Sequence, residues 1–337
     1  MKKRKINGAF LNANRAWLFL IIIMAIGLFI PKFYTAYNIK AVTGNNTLFI
    51  WIACGFTICM IAGNMDLTVQ YCSTFAALIC LGTHSRQKWP WLVCILIAVM
   101  MGLIVGLING LLVTKLKISA FIATLGMQFI LRGCMYMYAP DEQSIGRDTA
   151  ANEFLNDKLV KFLPFSTYFL ICLTAVLIVW IFLKWTRTGR NVYIIGGNIE
   201  TAWLAGVKSD RITILTFLIS SVLCSLGGAL NGIFSGAANI SMGDKGIAPL
   251  MIGMTATIIG GTDTSGGSGS VLNTFITMVA LAFLKGIFRK TEMQVLVISV
   301  IMIICIAYET IAAFRRNKVL GIRPNLRNEY LKEMGKG

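Results

Sequence analysis

Arg132 is the costliest residue in the sequence to accommodate, a guanidinium inside the apolar run 118–138. A charge on a membrane helix is disfavoured by roughly 2.5 to 3.5 kcal/mol on insertion scales unless it is paired or hydrated, so Arg132 must face protein or water. Thr124 and Gln128 precede it at four-residue intervals, which stacks all three on one helix face at successive depths. That face is either the wall of a solute path or the seat of a structural arginine held by carbonyls or an acidic neighbour. Asp66 lies in Gly-Asn-Met-Asp-Leu-Thr between two apolar runs, where it suits a cap on the following helix or contact with a solute. Asn109 and Asn231 are amides inside two further apolar runs. Hydrogen bonds between helices and contact with a solute both account for them.

Soluble-enzyme chemistry has little support. The chain contains no G-x-S-x-G elbow, no H-E-x-x-H and no G-x-x-x-x-G-K-[ST] loop, so it is not by itself an ATPase. The run Gly260 to Ser270, GGTDTSGGSGS, resembles a phosphate cradle but lacks the lysine and leads into an apolar helix, which makes it a turn, mobile or re-entrant. All nine cysteines fall in apolar stretches without a C-x-x-C pair, and His84 is the single histidine, so the thiols read as small packing residues rather than disulfide or zinc partners. Asp66, Asp263, Glu292 and Glu309 sit near the ends of apolar runs. A proton-coupled carrier calls for carboxylates or histidines at depth, so that class is weakened; sodium coupling through carbonyls stays open.

A polar, basic island, Thr186 to Arg211, interrupts the apolar pattern. Asn198 suits a helix N-cap and Glu200 falls in the first turn, where a carboxylate complements the helix dipole. Ala202, Ala205 and Gly206 keep one side of that short helix small, which predicts close contact with a partner.

The elements that must position these residues follow from composition. Of 337 residues, 56% are hydrophobic and 13% charged, which is the signature of an integral membrane protein. Apolar runs predict ten helices at 16–34, 46–62, 67–83, 90–113, 118–138, 164–184, 212–235, 247–261, 271–288 and 293–311, the second and eighth being short. Lys2 to Lys5 followed by the first apolar run resembles a signal peptide, but no small-x-small cleavage site follows and the run is expected to stay as a span. With ten crossings, 19 of the 31 Lys and Arg lie on the side of the termini and of the 186–211 island and 11 on the other, which predicts a cytoplasmic location for the former. The formal charge of +17 is thus used for orientation and membrane lipid, and nucleic acid is not expected as a partner. The organisation expected is a tail at 1–15, a membrane domain at 16–311 and a second tail at 312–337. Gly102, Gly106 and Gly110, and likewise Gly228, Gly232 and Gly236, form four-residue repeats that predict close helix packing.

Four stretches together carry a resemblance: GNMDLTVQ at 63–70, FIATLGMQFILRG at 121–133, TRTGRNVYIIGGNIETAWLAGV at 186–207 and ATIIGGTDTSGGSGS at 256–270. In order and spacing the chain resembles the permease subunits of bacterial ABC sugar importers of the ribose, xylose, arabinose and galactose group, which includes autoinducer-2 permeases. The resemblance implies an all-α permease fold that binds no cofactor. It also implies a separate ATP-binding subunit that hydrolyses ATP, a second permease subunit, identical or complementary, and a periplasmic or lipid-anchored sugar-binding protein. It implies that Gly196, Gly197, Asn198, Glu200, Ala202 and Gly206 form the surface that docks on the ATPase. The chain departs from the family where Gln70 and Ser268 replace a usual glycine and lysine.

Overall fold

The computed structural model describes residues 14–139, 149–157, 164–240, 249–288 and 291–319. Helices are the main regular structure of the described residues, which contain no strand, as expected of a chain whose backbone must satisfy its own polar groups in lipid. The first expected tail falls almost wholly outside these residues, and the second does so beyond Val319.

Helix α1 (Arg15–Gly27) is shorter than its apolar run because Pro31 follows, and the chain before a proline leaves the helical region. Helix α2 (Ala36–Ile61) is ten residues longer at its start than its hydropathy predicts. The polar run Thr43–Thr47 stays helical because its side chains bond back one turn. Thr43 donates to the Ile39 carbonyl at 2.7 Å, Asn46 to Val42 at 2.8 Å and Thr47 to Thr43 at 2.8 Å. Thr35 caps the start by accepting the Asn38 amide at 3.3 Å.

Next come α3 (Val69–Gln87), α4 (Trp91–Thr114), α5 (Ala120–Tyr138), a short α6 (Thr149–Asn156) and α7 (Thr167–Trp185). The former island folds as α8 (Arg187–Gly197) and α9 (Ile199–Leu204). Then follow α10 (Ser209–Ser235), α11 (Pro249–Ile259), α12 (Val271–Ile287) and α13 (Thr291–Val319). Helix α6 has no counterpart in the hydropathy pattern. Its Asn152 and Asn156 donate to the Phe234 carbonyl at 2.7 and 2.9 Å, satisfying the end of α10. Helix α13 runs past 311 into the expected tail, because Ala312 to Val319 are good helix formers whose polarity merely ends the apolar run.

Five helices, α2, α4, α5, α7 and α10, are long and apolar enough to cross a membrane; α1, α11 and α12 are shorter apolar helices. Helices α2 and α10 form the centre: 89% of the apolar window of α2 is buried, against 28% for α4 and for α5. Helices α3 and α4 pack against α10 on one side; α11 and α12 pack against α2 on the other, and α1 packs against α12. A Cβ on Gly102 would lie 2.3 Å from Ser225 Oγ, one on Gly106 2.7 Å from the Phe217 carbonyl, and one on Gly110 2.9 Å from Ile214 Cα, so the first glycine stripe is the α4–α10 contact. In the second stripe Gly228 meets α3, a Cβ there lying 1.9 Å from the Ser73 carbonyl. Gly236 differs from expectation: it is the left-handed residue that ends α10, at φ +67°, rather than a member of the helical stripe. All nine cysteines are free thiols, seven of them buried in this packing.

Candidate coupling site and buried polar centre

Two side-chain caps shape the former island. Thr186 Oγ1 accepts the Gly189 amide at 2.9 Å and starts α8; Asn198 Oδ1 accepts the Glu200 and Thr201 amides at 2.8 and 3.0 Å and starts α9. Helix α9 ends at Gly206, whose φ of +72° lets the Val207 amide reach back to the Ala202 carbonyl at 2.9 Å. Val192, Ile195 and Ala202 are buried and anchor the pair of helices to the body.

The small residues of α9 divide between two sides: Ala202 is packed against the chain itself, while Ala205 and Gly206 are exposed. The outward side carries Ile199, Trp203 and Leu204, which are 61, 74 and 77% exposed, with Glu200 exposed in the first turn. The capping pattern was legible in the sequence. The direction of the faces was not, because it depends on how α8 docks.

That docking is a joint of bare backbone. Gly196 packs so tightly that a Cβ would fall 1.8 Å from the Ile61 carbonyl and 2.5 Å from the Gly267 amide nitrogen. A Cβ on Gly266 would lie 2.7 Å from Gly63 Cα, and one on Gly267 2.5 Å from Gly197 Cα. The Gly267 amide donates to the Ile61 carbonyl at 2.8 Å, and Tyr193 Oη donates to the Gly269 carbonyl at 3.2 Å. The glycine-rich run at 260–270 is thus an ordered turn that clasps the α2–α3 connection to the end of α8, and Asp263 accepts the Ser265 amide within it at 2.9 Å.

Three residues beyond Gly63 the chain reaches a buried polar centre. Asp66 accepts from Ser220 Oγ at 2.9 Å, from the Thr68 amide at 3.0 Å and from the Thr68 hydroxyl, to which Asn109 Nδ2 donates at 3.2 Å. Thr124 Oγ1 donates to the Ala120 carbonyl at 2.8 Å and lies 3.3 Å from the Met65 carbonyl. Asp66 forms a turn with Thr68 just before α3, while Thr68 is the residue that opens the helix. Ser220 is eleven residues into α10, about 16 Å along it at 1.5 Å per residue. Asp66 is therefore a carboxylate at depth, contrary to its expected place at a span end, because the α2–α3 connection folds back into the protein.

Asp66, Asn109 and Thr124 are thus brought together. Gln128 and Arg132 lie one and two turns further along α5, half-buried, and the Gln128 side chain makes no hydrogen bond among the described residues. Asn231 is buried three turns along α10 from Ser220, away from the centre. Sequence patterning missed Ser220 and Thr68, and also a hydroxyl cluster in which Thr57 of α2 lies 3.0 Å from both Thr257 of α11 and Thr274 of α12. Their signal was the recurrence of Ser and Thr in otherwise apolar runs. Gln70, the bulky departure from the resemblance, accepts the Leu250 amide at 3.2 Å and so caps α11. Among the described residues no cluster of His, Cys, Asp or Glu is arranged to hold a metal ion.

A helical body with a central apolar pair, a capped pair of polar helices at one end and a glycine joint between them defines a membrane permease. The family described as the branched-chain amino acid transport system / permease component matches residues 38–306, and the chain belongs to it. Among its relatives is the ribose import permease of Haemophilus influenzae, 27% identical over 82% of this chain and 85% of that one. The L-arabinose transport system permease of Escherichia coli is 29% identical over 75% of each chain, and an inner membrane ABC transporter permease of the same organism is 31% identical over 72% and 73%. No solved structure matches the chain. The protein is a multi-pass inner-membrane component of an ABC importer, a class that works with ATP-binding subunits and a substrate-binding protein.

Proposed function

We propose that the chain is the permease half of an ATP-driven importer of a monosaccharide, a pentose or hexose of the ribose type. It crosses the membrane ten times with both termini in the cytoplasm, and α8 and α9 dock on the ATP-binding subunit. The names of the ribose and L-arabinose permeases support the substrate class. The observation that carries the docking role is the exposed Ile199, Trp203 and Leu204 on α9, whose other side buries Ala202 and which directly follows the joint of α8 with the α2–α3 connection. An exposed aromatic flanked by aliphatics is the composition of an interface anchor. A second permease subunit completes the path, and the exposed faces of α4 and α5 are available to it. Gln128, whose side chain has no hydrogen-bond partner among the described residues, and Thr124, Asn109, Asn231, Arg132 and Asp66 supply the hydroxyl-compatible groups of the path and its walls.

The experiment is reconstitution of the permease with its ATPase and binding protein in vesicles. Trp203→Ala combined with Leu204→Ala is expected to lower substrate-stimulated ATPase and uptake at least ten-fold, as interface anchors cost about 2 kcal/mol or more when truncated, while insertion stays normal. Unchanged uptake and ATPase in that variant would overturn the docking role. Uptake by the permease alone, driven by an ion gradient, would overturn the importer assignment.

A further inference from the structure

Beside the joint, a cleft of about 380 Å³ opens where the end of α7, the middle of α8 and the start of α12 meet. Trp180, Lys184, Arg190, Tyr193, Gly269 and Ser270 line it. Lys184 Nζ lies 4.8 Å from the centre of the Trp180 ring, and Arg190 Nη1 donates to the Trp185 carbonyl at 3.3 Å. Both cations are exposed, and neither has a carboxylate partner among the described residues. Ser270 caps α12, so the positive end of that helix dipole is directed to the same cleft. Two unpaired cations and a helix start converge on one small volume, and this is the chemistry of a phosphate site.

The surroundings specify the source of the phosphate. Leu177, Ile178 and Ile181 of α7 are exposed and lead directly to Lys184, and Trp185 is exposed at the helix end. An acyl chain can lie along that stripe with its headgroup in the cleft, while the indoles occupy the interfacial level where aromatic residues collect. We infer that this cleft binds the phosphodiester headgroup of an anionic phospholipid of the cytoplasmic leaflet. It rests on the assignment of the α8–α9 end to the cytoplasmic boundary. Through Arg190 and Tyr193 the bound lipid braces α8 against α7 and the 260–270 turn, so the helix that carries α9 is held partly by lipid.

The test uses the purified full-length chain in detergent, with lipid retention read by native mass spectrometry and thermal unfolding read in parallel. Dioleoylphosphatidylglycerol is expected to be retained over dioleoylphosphatidylcholine and to raise Tm. Each basic residue at an anionic lipid surface contributes about five-fold in affinity, so Lys184→Gln with Arg190→Gln is expected to lose roughly thirty-fold. Lys115→Gln with Lys117→Gln, which removes two lysines paired with Asp210 at the start of α10, 3.1 and 3.4 Å from its carboxylate, is expected to retain the lipid. Equal retention of the two lipids by the wild type, or undiminished retention by the Lys184/Arg190 variant, would overturn the site. Stabilisation by inorganic phosphate as large as that by the lipid would overturn the lipid as its source. Should the variant fail to fold, the wild type alone decides: retention that does not weaken with added salt is incompatible with an ionic headgroup site. Because no ATPase is present, failure of the docking role would leave this result unchanged.

Discussion

At the scale of single residues, neighbouring glycines have unequal duties. A Cβ on Gly196 meets the Ile61 carbonyl at 1.8 Å, whereas one on Gly197 finds nothing nearer than 3.9 Å. The obstacle at Gly196 is backbone, which has no rotamer to give. Gly196→Ala is expected to cost about 3 kcal/mol, the upper part of the usual overpacking range, and Gly197→Ala less than about 1 kcal/mol. Thermal unfolding of the two purified variants checks it, and equal Tm values would contradict the joint. The sequence marked both as one polar, glycine-bearing pattern and could not rank them, because the difference lies in a contact with residues more than 130 positions away. Asp66 illustrates the same limit: its turn with Thr68 is local and legible, but its bond to Ser220 is not, and that bond sets its depth.

At the scale of elements, helix patterning recovered most apolar helices, and the errors have identifiable causes. Helix α2 looked short because hydropathy counts Thr and Asn as polar even when they bond back to their own helix. Helix α6 was missed because its apolar contribution is only Leu155 and Ala151, while its own Asn152 and Asn156 tie it to the end of α10. The glycine stripe of α4 was read correctly, since four-residue spacing alone fixes a face. Its packing predicts a sharp contrast between stripes: Gly106→Leu is expected to force α4 from α10 and lower the yield of folded protein several-fold. Gly126→Leu, on the open side of α5 where nothing lies within 4 Å, is expected to leave the monomer folded. Fluorescence-detected size exclusion separates the two outcomes, and similar profiles for both would contradict the α4–α10 contact.

At the scale of the whole molecule, the basic residues, the positions of the caps and the family pattern lead to one orientation. Lys208, exposed at the α9–α10 turn, and Tyr37, exposed at the start of α2, are expected to lie on opposite sides of the membrane. Lys208→Cys should react with an impermeant maleimide only in inside-out vesicles and Tyr37→Cys only in right-side-out ones. Cys134 and Cys305, the two thiols that are not buried, are replaced by serine in that background. Labelling of both positions from one side would overturn the orientation. Fold class, family and the caps of the 186–211 segment were all legible, because composition, spacing and caps are local properties. The outward apolar side of α9 and the buried centre emerge only when segments far apart in the chain are brought together.

The glycine joint also determines where the molecule is stiff. Side chains at an interface can change rotamer and absorb a displacement, but main chain against main chain has no such slack. With α9 docked as proposed, a displacement of α8 would meet Ile61 and Gly267 main chain directly, with no side chain between to give way. Compliance lies outside the joint, in the turn at Gly206, where open space surrounds a left-handed glycine. In mechanical terms the proposed docking makes α8 a short lever on the α2–α3 connection, whose next residues lead to Asp66.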